Sequence, residues 1–353
     1  MKTLRLAVDA ADIQSHASRA AIAQAAAILQ RGGTVAFPTE TVYGLGANAL
    51  EPDAVANIFA AKRRPSWDPL IVHVSDRDML GRVAAQIPSG AAQLMDAFWP
   101  GPLTLLLPRK VEIPVAVTAG RPLVGVRMPR HPVAHALIAA AGLPIAAPSA
   151  NTFGRISPTQ ARHVAEDLEG RIDAILDSGE TTHGVESTVV EANNEKCVLY
   201  RPGVITLEQI HEVCPGAIVY SQSEAAANVE PESMPSPGLA SRHYAPRAQL
   251  ILIDGTDDDQ KKALAKALFA EQRSGKRIGL MLPDTFDNPS LGHDALVFRW
   301  GRWDQYEELA HRLFAGLRWL DAAGAAVILC PLPAPEGIGA AIRDRLKKAA
   351  RIN

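Results

Sequence analysis

The sequence predicts an α/β protein of two domains: a larger one around a twisted sheet, and a smaller one of alternating strands and helices. Three observations carry that reading. The chain has 353 residues, against about 150 for a typical domain. A compositional break runs from Ser221 to Pro246, rich in Glu224, Glu230, Glu232, Pro231, Pro235, Pro237 and Gly238 and nearly free of large apolar side chains. Such a segment stays extended and builds no core of its own. Beyond it, strand and helix patterns alternate, as they do in a parallel or mixed sheet.

Taken in order, the apolar runs of the first half predict strands at Thr34–Phe37, Leu70–Val74, Leu103–Leu107, Leu123–Arg127, Ile145–Ala147, Ala174–Leu176, Ser187–Glu191 and Val198–Arg201. Helices are expected over Ser18–Gln30, Pro52–Lys62, Ser89–Phe98, Pro132–Ala141 and Pro158–Leu168. Ile22 and Leu29 share a face of the first, and Gly32 and Gly33 end it. After the break, Gln249–Ile253, Arg277–Leu282, Ala295–Trp300 and Ala325–Cys330 read as strands. Three aspartates open a helix over Asp257–Gln272, where they suit its positive end. Tyr306, Leu309, Leu313, Leu317 and Leu320 recur at helical spacing, and Gly337-Ile338-Gly339 opens a last helix.

Composition excludes several classes. With 36 basic and 38 acidic residues the net charge is −2, so the protein is not a nucleic-acid coat that is basic all over, although a local basic pocket remains compatible. Cys197, Cys214 and Cys330 form no C-x-x-C and have no histidine at zinc spacing, which favours reduced thiols and a cytoplasmic protein. No stretch is long and apolar enough to span a membrane, so a soluble protein is expected.

Polar residues of the first half gather at the ends of apolar runs. Thr39-Glu40-Thr41, Lys62-Arg63-Arg64, Asp68, His73, Arg127, Ser149-Ala150-Asn151, Ser157, Ser187 and Arg201 all do so. Each has a plain structural reading. Ser157-Pro158 is a standard helix start, Lys62 and Arg64 suit a helix C-terminus, and His73 suits a core strand. Gly44-Leu-Gly-Ala-Asn-Ala49 imitates a dinucleotide-binding turn, but Pro65 and Pro69 interrupt the second strand that the fingerprint requires. Together, four cations (Lys62, Arg64, Arg127 and Arg201) and many hydroxyls, without a Ser-His-Asp or Cys-His set, suit a polyanionic substrate such as a nucleoside triphosphate. The P-loop signature is absent.

The ordered motifs Pro38-Thr-Glu-Thr-Val-Tyr-Gly-Leu-Gly46, Lys62-Arg-Arg-Pro65, Trp99-Pro-Gly-Pro-Leu-Thr104, Val126-Arg-Met-Pro129, Pro148-Ser-Ala-Asn151, Gly184-Val-Glu-Ser-Thr188 and Arg201-Pro-Gly203 resemble the YrdC-like family. Ser236-Pro-Gly238, His243-Tyr-Ala-Pro246 and Gly337-Ile-Gly-Ala-Ala-Ile-Arg-Asp-Arg-Leu346 extend the resemblance to its long, two-domain threonylcarbamoyl-AMP synthases. The resemblance implies a YrdC-like mixed sheet enclosing a cavity over residues 1–205, a linker or lid over 206–248 and a Rossmann-like accessory domain over 249–353. It implies that L-threonine, bicarbonate and ATP, the last with Mg²⁺, give threonylcarbamoyl-adenylate and pyrophosphate. The adenylate would pass to the proteins that complete threonylcarbamoyladenosine in tRNA; any direct contact with tRNA is expected to be weak.

By the same resemblance, Lys62, Arg64, Ser149 and Asn151 would be catalytic. Arg64, Asp68, Ser149, Ser157, Arg201 and Tyr244 would contact ATP. Thr41, His73, Arg127, Ala147 and Ser187 would contact threonine, with Arg127 or His73 on its carboxylate. The presence of Tyr244 in that set implies a linker that folds back as a lid. Two rivals remain: an RNA-binding module of the same fold without catalysis, opposed by the near-neutral charge, and another carbamoyl-adenylate-forming enzyme, such as the hydrogenase-maturation carbamoyltransferases, whose acylphosphatase-like and zinc-finger segments this chain lacks.

Overall fold

A computed structural model of the chain describes residues 2–194, 196–221, 233–240, 243–286 and 295–350. Residues 222–232 and 241–242 of the proline- and glutamate-rich segment lie outside it. Two contact units divide the chain. The first holds Met1–Phe153, Ser157–Thr182 and Glu186–Ala240; the second holds Gly154–Ile156, His183–Val185 and Ser241–Asn353.

The first unit is built on strands β1 (Leu4–Ala7), β2 (Val35–Pro38), β3 (Tyr43–Asn48), β4 (Ile71–His73), β5 (Leu103–Pro108), β6 (Leu123–Arg127), β7 (Ile145–Ala146), β8 (Ala174–Asp177), β9 (Thr188–Ala192), β10 (Cys197–Arg201) and β11 (Ala217–Val219). They form one mixed sheet in the order β1-β8-β2-β3-β7-β4-β6-β5-β9-β10-β11. Parallel pairing of β4 with β6 sets His73 beside Arg127. The antiparallel β2–β3 hairpin carries Thr39, Glu40 and Thr41 at its turn. Register thus delivers the polar strand ends to the site.

Strands β1, β3 and β11 are additional to those expected. β1 and β11 are short and largely exposed, so neither carries a core signature. The segment Tyr43–Asn48 contains two glycines, which normally weaken a strand. Here they are needed: a Cβ on Gly46 would lie 2.7 Å from both Ile145 Cγ2 and Phe37 Cε1. The dinucleotide-like run is therefore a tightly packed strand and not a phosphate-binding turn.

Helices Pro52–Lys62, Ser89–Phe98 and Pro132–Ala141 occur with the expected bounds. Their starts are set by Pro at or just before the first turn. The helix expected over Pro158–Leu168 is corrected to Ala161–Leu168, with Gln160 as its N-cap. Residues 157–159 are diverted into bonds with distant segments instead: the Tyr43 N–H donates to Pro158 O at 2.9 Å and the Thr181 N–H to Thr159 O at 3.0 Å.

The second unit has a four-stranded parallel sheet in the order β12-β15-β13-β14, from β12 (Gln249–Ile253), β13 (Ile278–Pro283), β14 (Leu296–Gly301) and β15 (Val327–Pro331). Helices Asp257–Gln272, Tyr306–Ala322 and Ile338–Ala350 accompany it. Thr256 caps the first by accepting from the Asp259 N–H. Leu309, Leu313, Leu317 and Leu320 are all buried, as their spacing required. Among the described residues the three cysteines are free, and no helix is long and apolar enough to cross a membrane.

Candidate active site

Lys62 closes helix Pro52–Lys62, and Arg63, at φ +53°, turns the chain so that Arg64 follows inward. The Lys62 side chain is 1% exposed. Its Nζ donates to the carbonyl oxygens of Ser149, at 2.6 Å, and Asn151. Burial, joined by the charge of Arg64, pulls its pKa well below the ordinary lysine value. The plain reading of Lys62 as a surface complement to a helix dipole is thereby replaced. It clamps the Pro148–Asn151 loop, which is also tied to β3 by Leu45 N–H to Pro148 O and Ala150 N–H to Tyr43 O, both 2.8 Å.

Arg64 reaches Asp68 one turn on: Nη2 lies 3.0 Å from Oδ2, Nε donates to Asp68 O and Nη2 to Pro69 O. Asp68 is fully buried. Burial pushes its pKa up, opposed by Arg64, Lys62, Arg201 and the Gly238 backbone N–H. These partners place three cations around one carboxylate. Arg201, at the end of β10, donates Nε and Nη2 to Ser187 O, and Nη2 also to Ser187 Oγ at 3.0 Å. The Ser187 hydroxyl meets Thr104 Oγ1 at 2.8 Å. Ser157 Oγ donates to Glu186 Oε1.

A second cluster forms where the β2–β3 turn meets the end of β6. Arg127 Nη2 lies 2.7 Å from Glu40 Oε1, Nη1 donates to Thr41 Oγ1 at 2.9 Å, and Nε donates to Gly101 O. Burial alone would raise the Glu40 pKa; the charge and hydrogen bond of Arg127 outweigh it and hold the group at about 2. Burial, reinforced by Arg127, pushes His73 down to about 3, so His73 is neutral at ordinary pH. Ala147 is buried and donates its N–H to Ile71 O.

Twelve of the sequence-predicted site residues thus lie in the first unit; Lys62, Arg64, Ser187 and Arg201 are joined around Asp68, and Thr41 and His73 lie by Arg127. Tyr244 belongs to the second. Its ring is buried, stacks on Phe314 at 5.6 Å and lies under the Arg345 guanidinium. Earlier residues of the linker, which belong to the first unit, bond within it. Arg121 Nε donates to Ser233 Oγ, the Met234 N–H donates to Trp67 O, and Arg201 Nη1 donates to Pro237 O.

Sequence reasoning assigned no site role to Glu40, although it stood among the polar residues at strand ends, nor to Thr104, Glu186 and the Pro237-Gly238 backbone. Glu40 and Glu186 each adjoin a selected hydroxyl residue, so adjacency was the available signal. No group of three or more His, Cys, Asp or Glu comes together as a metal cage among the described residues.

Comparison with known proteins shows the family. Residues 27–203 match the Sua5, YciO and YrdC family model, described as telomere recombination. Residues 205–351 match the threonylcarbamoyl-AMP synthase C-terminal domain. The chain is 45% identical to the threonylcarbamoyl-AMP synthase of Bacillus subtilis, over 99% of this chain and 98% of that one. It is 43% identical to that of Pyrococcus abyssi, over 92% and 93%. The crystal structure of P. abyssi Sua5 complexed with L-threonine superposes with a TM-score of 0.89, at 41% identity and over 99% and 98% of the two chains. The chain belongs to the two-domain Sua5 family of threonylcarbamoyl-AMP synthases.

Proposed function

We propose that this enzyme forms L-threonylcarbamoyl-adenylate and pyrophosphate from L-threonine, bicarbonate and ATP, and that the adenylate serves threonylcarbamoyladenosine formation in tRNA. The names of its full-length relatives and the threonine complex of P. abyssi Sua5 support the reading. The observation that carries it is the buried set of Lys62, Arg64 and Arg201 about Asp68, beside a separate cation, Arg127, held by a hydroxyl and a carboxylate.

In this mechanism Arg127 receives the threonine carboxylate. His73, being neutral, contributes hydrogen bonds only, which leaves Arg127 as the cation of that pair. Thr41 and Ser187 read the side-chain hydroxyl, a distinction that an apolar pocket makes poorly. The amine, in its neutral form, bonds to the bicarbonate carbon and water leaves, which gives the N-carboxylate (carbamate) of threonine. The carbamate oxygen then attacks the α-phosphorus in line and pyrophosphate leaves, so no protein nucleophile is consumed. Arg64 and Arg201 offset the charge that develops on the phosphates, while Lys62 holds Ser149 and Asn151 in place. Magnesium enters as the counter-ion of the ATP substrate, since Mg²⁺ commonly binds through substrate phosphates and not in an all-protein cage. Residues 1–205 act as the catalytic domain, 206–248 as linker and lid, and 249–353 as an accessory domain.

The test is pyrophosphate release by the purified protein with ATP, Mg²⁺ and bicarbonate, each amino acid being added in turn. Release that requires both threonine and bicarbonate is the expected result. Release indifferent to threonine would overturn the assignment.

A further inference from the structure

Arg127 is a buried cation, 3% exposed, and ATP and pyrophosphate are anions of higher charge than a threonine carboxylate. An uncompensated guanidinium in a buried site would draw any of them, because Coulomb attraction grows with the charge of the ligand and is poorly screened there. Glu40 answers that problem. Its carboxylate is itself buried and lies 2.7 Å from Arg127 Nη2. The His131 backbone N–H approaches its other oxygen, Oε2, at 3.4 Å. Two other N–H groups of the guanidinium donate to neutral acceptors, Thr41 Oγ1 and Gly101 O, which leaves two of its five donors for a ligand.

From this pairing we propose that Glu40 is a specificity-determining residue: it cancels the charge of Arg127, so that the threonine subsite holds a singly charged carboxylate by shape and hydrogen bonding and refuses phosphate-bearing anions. The inference rests on the reading of Arg127 as the residue that meets the threonine carboxylate. A role for Glu40 as base for the threonine ammonium is a poorer fit, because a carboxylate stabilised by so close a cation is too weak a base for that proton. Its service is as a fixed counter-charge.

Glu40→Gln preserves the shape and removes the charge. The experiment measures threonine-dependent pyrophosphate release by wild type and variant over a range of inorganic phosphate concentrations. In wild type, millimolar phosphate is expected to leave KM for threonine unchanged. In Glu40→Gln it should raise KM for threonine by about tenfold or more, competitively, with KM for ATP unmoved. A residue that merely supported the fold would lower stability without creating phosphate competition. Glu40→Asp, which draws the charge back by one methylene, should show the same inhibition in weaker form and serves if Glu40→Gln does not fold. The double variant Glu40→Gln/Arg127→Met should bind no phosphate by calorimetry. Equal phosphate sensitivity in wild type and in the variants that fold overturns the inference. Wild type without threonine-dependent turnover would instead overturn the reading on which it rests.

Discussion

The Nζ of Lys62 donates to the backbone carbonyl of Ser149, 87 residues further along the chain, at 2.6 Å. A second bond from the same nitrogen reaches Asn151 O. Two of the motifs that carry the family resemblance, Lys62-Arg-Arg-Pro65 and Pro148-Ser-Ala-Asn151, are therefore joined by one buried lysine. Lysine is suited to that place because its nitrogen carries more than one donor on a flexible stem.

Lys62→Ala leaves two carbonyls without their donor. Each unmade buried hydrogen bond costs roughly 1–3 kcal/mol, so urea unfolding should show a loss of that order in a protein that still folds. Threonine-dependent pyrophosphate release should vanish with it, because Ser149 and Asn151 lose their position. Wild-type turnover in Lys62→Ala would remove the residue from the mechanism.

The Glu40–Arg127 pair makes stability depend on pH. The carboxyl titrates at about 2 in the folded protein against an ordinary 4.5, so the unfolded chain binds the proton more tightly. Its stabilising contribution, about 3 kcal/mol, is complete above pH 4.5 and is lost as pH falls towards 2. The unfolding free-energy gap between wild type and Glu40→Gln, measured in urea, should be constant from pH 6 to 8 and narrow below 4.5. A gap that does not change with pH would show that the charge contributes nothing.

His73 works in the same direction by a different route. Its folded pKa is about 3 against 6.5, so acid favours the unfolded chain, where the imidazole can protonate. Between pH 6.5 and 3 this costs about 1.4 kcal/mol per pH unit. Denaturation of His73→Gln over that range should show a shallower acid slope by that amount. An unchanged slope would mean that His73 protonates in the folded state.

Ser157 Oγ is held by Glu186 Oε1, which fixes the hydroxyl proposed to contact ATP. A hydrogen bond to a charged group is worth roughly 1.5–3 kcal/mol. Ser157→Ala is expected to raise KM for ATP by about tenfold or more while KM for threonine moves little. Equal changes in both constants would point to a general disturbance of the sheet.

Gly46→Ala tests the packing of β3. The added methyl would stand 2.7 Å from Ile145 Cγ2 and Phe37 Cε1, inside contact distance on two sides. Overpacking of this kind costs roughly 1–3 kcal/mol, to be read as a lowered midpoint in urea. A variant as stable as wild type would show that β3 shifts without cost.

Much of the architecture was legible where a short stretch settles its own conformation. Helix Pro52–Lys62 has proline at its first position and helix Asp257–Gln272 has Thr256 and three aspartates, and both occupy the bounds expected from sequence. The polar residues at strand ends supplied the candidate site residues, because a strand that leaves the core must change from apolar to polar at its boundary. β3 was not legible: its glycines argue against a strand until Phe37 and Ile145 are seen against Gly46. Ser157-Pro158 has every local mark of a helix start, yet Pro158 O and Thr159 O accept from the Tyr43 and Thr181 N–H groups instead.

By itself, then, the amino-acid sequence determined the α/β class, the periodic elements, the family and the set of charged and hydroxyl residues available for chemistry. Only the tertiary structure decided which of them meet. Arg127 finds Glu40, Lys62 finds Ser149 and Arg201 finds Ser187 because strand order and register bring distant segments together. No local preference encodes those pairings. They are set by the burial of a whole sheet, within which each desolvated charge must end beside a partner.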